Sequence, residues 1–96
     1  MLQQVTIHTN DAKRLKPLLQ TAIQREAKVL EHAIQRTVQA LQVYETRHGM
    51  TTADFERKFQ AKEIEETLDT LDWWMEVEAL HHLEAQRQSL TEAKLD

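Results

Sequence analysis

Hydrophobic positions along this chain change period near residue 10. Before it, Val5 and Ile7 alternate with polar neighbours and lead into Asn10 and Asp11, a turn or helix-cap pair. A period of two predicts a short strand or arm over 1–10. The sequence offers that strand no second strand, so its backbone N–H and C=O groups must pair with water or with another chain. Antiparallel pairing across a homodimer axis is the economical solution, and it makes Val5 and Ile7 candidate dimerisation residues.

From residue 11 the period becomes helical. Leu19, Ile23, Leu30, Ile34, Leu41 and Tyr44 follow one stripe, and Leu18, Ala22, Val29, Ala33, Ala40 and Val43 widen it on one side. That is broader than the seam of a two-stranded coiled coil, so two neighbours can pack here. The helix begins at Asp11 with a distortion at Pro17, or at Pro17 itself, and runs to His48, with Gly49 as a left-handed cap. Over 17–48 it would be about 48 Å long, against about 32 Å for the diameter of a compact domain of this size. Such a helix overhangs a monomer, which again predicts a second chain, with Leu30, Ile34 and Leu41 added to the dimerisation set.

"GMTTADFERKF" starts a short helix over 51–60, with Thr51 or Thr52 as cap, Asp54 in the first turn, and Phe55 and Phe59 four apart on one core-facing side. A charged connector follows. The last helix is expected over 68–93, with Asp69 and Asp72 at its positive end. On it Leu71, Met75, Ala79, Leu83 and Leu90 form one apolar row; Trp73, Val77 and Leu80 form another roughly opposite, and Trp74 takes the remaining side. If the chain's own helices cover the first row, Trp73, Val77 and Leu80 become the apolar anchors of a partner interface, ringed by Glu76 and Glu84.

The expected fold is therefore all-α: one long, one short and one C-terminal helix, with a short N-terminal strand. It forms a single domain in an intertwined or helix-packed homodimer. A single Gly and a single Pro support this by removing most of the vocabulary of β turns. The absence of cysteine excludes disulfides and thiolate zinc sites. The first thirty residues show neither a signal-peptide core nor an apolar span, so the chain reads as soluble and cytoplasmic, without a membrane role.

Charge adds a division. Residues 1–62 carry 10 basic and 6 acidic side chains, whereas residues 63–96 carry 2 and 10. The acidic C-terminal third suits a basic partner. The net charge of −4 argues against broad affinity for nucleic acid. Lys13, Arg14 and Lys16 could touch DNA, but ribbon-helix-helix topology needs a short first helix, and this one lacks an internal stop.

Candidate chemistry is sparse. Glu45/His48 and Glu78/His81 make two Glu-x-x-His steps, the unit of di-iron sites in helical bundles, but no regular set of further carboxylates accompanies them. Arg25 and His32 fit the loose Arg-x4-6-His pattern of HEPN ribonucleases, although Glu26 replaces the usual polar residue and would repel phosphate. One glycine cannot make a phosphate loop, and Ser89 sits on an exposed tail. The expectation is no enzyme activity, no catalytic residue, no metal and no cofactor.

Over Tyr44 to Leu90, "YETRHGMTTADFERKF" followed by "DTLDWWMEVEALHHLEAQRQSL" resembles small antitoxin-like proteins of bacteria and archaea, of the kind encoded beside TumE-family toxins. The shared pattern is Tyr44, a turn at Gly49, Met50 and Thr51, a short helix with Phe55, and an acidic stretch that here holds Trp73, Trp74, Glu76, Glu78 and Leu80. Arg47 and His48 depart from it, standing where lysine and tyrosine are more usual. The resemblance implies a noncatalytic antitoxin that binds and blocks a cognate toxin, expected to be a ribonuclease. The other readings are a helical homodimeric scaffold or adaptor and a HEPN-like ribonuclease.

Overall fold

The computed structural model describes residues 12–93, which form three helices: α1 (Ala12–His48), α2 (Thr52–Gln60) and α3 (Leu68–Glu92). All regular structure among the described residues is helical. The strand expected over 1–10, with Val5 and Ile7, lies outside them. None of the helices is long and apolar enough to cross a membrane.

Of the two starting points weighed for the long helix, the earlier one holds, and Pro17 is carried inside α1. Proline there removes one backbone donor. One turn later the Thr21 hydroxyl donates to the Pro17 carbonyl at 2.9 Å. At the far end Gly49 takes φ +64°, and the Gly49 and Met50 N–H groups both close on the Glu45 carbonyl. This left-handed cap turns the chain sharply into α2.

Helix α2 is capped by Thr51, whose hydroxyl accepts from the Asp54 N–H at 3.1 Å. It ends in a Schellman motif: the Lys62 N–H reaches the Phe59 carbonyl and the Glu63 N–H the Lys58 carbonyl, with Lys62 at φ 59°. Helix α3 then opens with a reciprocal box. Thr67 Oγ1 accepts from the Thr70 N–H, Thr70 Oγ1 accepts from the Thr67 N–H, and the Thr70 hydroxyl also reaches the Glu65 carbonyl. Thr70 is buried beneath this network.

The chain folds back so that α3 runs antiparallel along α1. Asp69 meets Arg47 and His48 at one end, and Leu90 approaches Leu30 and Glu26 toward the other. The molecule measures 60 × 22 × 19 Å. At 1.5 Å per residue α1 is about 55 Å long and α3 about 37 Å, so the first turns of α1 overhang.

The core lies at the other end, where all three helices meet. Leu41, Phe55, Trp73 and Val77 form its buried centre, with Tyr44, Met50, Phe59, Ile64, Trp74 and Leu80 packed against it. Leu30 and Ile34 continue the buried seam along α1. Three dimerisation assignments are corrected here: Leu30, Ile34 and Leu41 are covered within the chain, because the antiparallel return of α3 occupies the side expected of a second copy.

Candidate functional site

Trp73 is the largest fully buried side chain among the described residues. Its ring stacks on Phe55 at 3.8 Å between centroids and 4° between planes, and His48 and Tyr44 stack against it at 5.1 and 5.7 Å. Its indole N–H points to the Thr52 hydroxyl over a long 3.4 Å, and the Thr52 N–H in turn donates to Glu45 Oε2 at 2.6 Å. Val77, one turn on, is 1% exposed. The expectation that Trp73 and Val77 anchor a partner is therefore corrected: both belong to the chain's own core.

The other residues of that proposed interface divide. Leu80 is half-buried against the same core, Glu76 is half-buried beside Ala33, Arg36, Thr37 and Ala40 of α1, and Glu84 is exposed. Trp74, the second ring, is half-buried and stacks on Phe59 at 4.8 Å. The two adjacent rings thus point about 100° apart and are served by different phenylalanines of α2.

What remains uncovered on α3 is the first part of the opposite row, Leu71 and Met75, together with Leu68, whereas Ala79, Leu83 and Leu90 of that row are half-buried. Leu68 is 83% exposed, Met75 66% and Leu71 39%. At spacings of three and four residues they line one stripe, about 140–160° around the helix from Trp73. Glu66, Asp72 and Glu78 are exposed beside it. An apolar centre with an acidic rim is the anatomy expected of the Trp73 row, found instead on the other face.

The two Glu-x-x-His steps do not converge. Glu45 is held by Thr52, His48 by Asp69 at 2.5 Å, and His81 by Glu56 at 3.2 Å. Among the described residues no group of three His, Asp or Glu is placed to hold a metal. Arg25 and His32 are both exposed on α1. They line separate surface depressions, His32 with Lys28, Gln35 and Arg36, and Arg25 with Thr21 and Gln24.

Asp69 was legible only as a favourable first-turn charge. In the structure it also receives Arg47 and His48 from the last turn of α1, tying the start of α3 to the end of α1. Burial, and after it the negative charges of Asp72, Asp69 and Glu76, raise the Tyr44 phenol above its ordinary pKa, while Arg47 opposes them. Arg25, Lys28 and Arg36, by contrast, form no ion pair among the described residues. The charge division read along the chain becomes a division in space, basic on α1 and acidic on α3.

No protein-family model matches this chain, and neither a curated protein nor a solved structure matches it.

Proposed function

We propose that this protein acts by binding another protein, as an antitoxin that neutralises a cognate toxin stoichiometrically. The observation that carries the reading is the stripe of Leu68, Leu71 and Met75, left in solvent on an acidic helix although the chain has a small core. Their exposure contributes nothing to folding and is suited to burial against a partner. The acidic rim favours a cationic surface, such as the one with which a ribonuclease holds RNA. The resemblance over Tyr44 to Leu90 supports the same reading, because Gly49, Phe55 and Trp73 lie in the unit that presents the stripe.

The test uses the product of the reading frame beside this one. Produced alone it should arrest growth, and co-production of this chain should restore it. Met75→Glu combined with Leu68→Glu should weaken binding by about tenfold or more, with helix content and unfolding midpoint unchanged. A neighbouring product that is harmless, or a double variant that still binds and rescues fully, overturns the proposal.

A further inference from the structure

We infer that a second copy of this chain packs antiparallel on the open flank of α1, centred between His32 and Ala33. This inference stands apart from the toxin reading, which rests on α3.

The flank consists of Leu18, Ala22, Arg25, Val29, Arg36, Ala40 and Val43. All but Ala40 are exposed, Leu18 at 65%, Val29 at 59% and Val43 at 55%. At 100° per residue they cover a narrow sector beside the face turned to α3. From Ala22 to Val43 their spacing is the same read in either direction, and Leu18, outside that run, falls opposite Arg47. Reversal about the centre brings Ala22 of one copy onto Val43 of the other, Arg25 onto Ala40, and Val29 onto Arg36. An isologous two-fold contact requires this self-complementarity.

Charge selects the antiparallel arrangement. In it Arg25 reaches the notch where Glu76 lies beside Arg36 and Ala40 of the second copy, so that one carboxylate faces both guanidinium groups. The basic overhang with Lys13, Arg14 and Lys16 approaches the end that carries Glu65, Glu66 and Asp72. A parallel pairing would set Arg25 on Arg25 and basic overhang on basic overhang, which like-charge repulsion disfavours.

Because the chain contains no cysteine, single-cysteine variants give an unambiguous test. Light scattering on the full chain should return twice 11.3 kDa. A short bis-maleimide should link an equimolar mixture of Ala22→Cys and Val43→Cys far more efficiently than either variant alone. Val29→Glu, at an exposed position, should weaken self-association by about tenfold or more while leaving helix content intact. Preferential linkage of Ala22→Cys to itself would show a parallel pair and overturn the inference. So would a monomer in which Ala22→Cys is shielded from alkylation, the outcome expected if residues 1–11 cover the flank, and so would a dimer indifferent to Val29→Glu.

Discussion

The rings of Phe55 and Trp73 lie parallel with centroids 3.8 Å apart, one from the shortest helix and one from the acidic helix, and neither has accessible surface. This pair joins α2 to α3 and, through Tyr44 and His48 beside the indole, to α1. Truncation of either ring leaves a cavity where the three helices meet. Trp73→Ala should cost about 3–5 kcal/mol of folding stability, and Trp74→Ala clearly less, because Trp74 is only half-buried. Denaturant unfolding of both variants measures this, and a Phe55→Ala/Trp73→Ala double-mutant cycle should show coupling of about 1 kcal/mol or more.

The box at the start of α3 depends on one hydroxyl. Thr70 Oγ1 accepts from Thr67 and donates to Glu65 while buried. Thr70→Val keeps the shape and removes both bonds, leaving the Thr67 N–H without its partner. The expected loss is about 1–2 kcal/mol in chemical denaturation, and a variant as stable as the parent would show that water replaces the hydroxyl without penalty.

Among the described residues two chain reversals use left-handed backbone, and one of them has glycine. At Gly49 an added Cβ would meet nothing within 4 Å, so Gly49→Ala is opposed by φ +64° alone, at about 1 kcal/mol. Lys62 already carries that strain at φ 59° in the α2 cap. Lys62→Gly should therefore raise the thermal unfolding midpoint while Gly49→Ala lowers it. Shifts of the same sign would refute this account of the caps.

Tyr44 supplies a pH dependence with a definite direction. Its phenol is raised above 10.0 by burial first, then by Asp72, Asp69 and Glu76, against the lowering effect of Arg47. The folded state thus holds the proton more tightly than the unfolded chain. Its contribution is fully present below about pH 10 and is lost as pH rises through the raised folded value. Tyr44 is the chain's single tyrosine, so phenolate absorbance follows it alone. The stability difference between the parent and Tyr44→Phe should be constant below pH 10 and change only above it.

Much of the local structure is readable from the residues themselves, since helix period, caps and breaks depend on neighbours three or four positions away. The end of α1 at His48, the left-handed turn at Gly49, the cap at Thr51 and the inward side of Phe55 all follow from such short-range chemistry. The Thr67–Thr70 box was less visible, because threonine replaces the usual acid or amide at the third helical position.

Which row of α3 would be buried was not decided at that level. The row of Leu71 and Met75 and the row of Trp73 and Val77 both have helical spacing and apolar side chains, and periodicity ranks neither above the other. The return of α3 along α1 after the connector decides it, because the planar indole of Trp73 then lies against the ring of Phe55 and the Leu68, Leu71 and Met75 stripe faces outward. The same return covered Leu30, Ile34 and Leu41 from within and left the Val29 flank open. Burial is a property of what lies opposite a side chain, and here that neighbour is more than ten residues away along the chain.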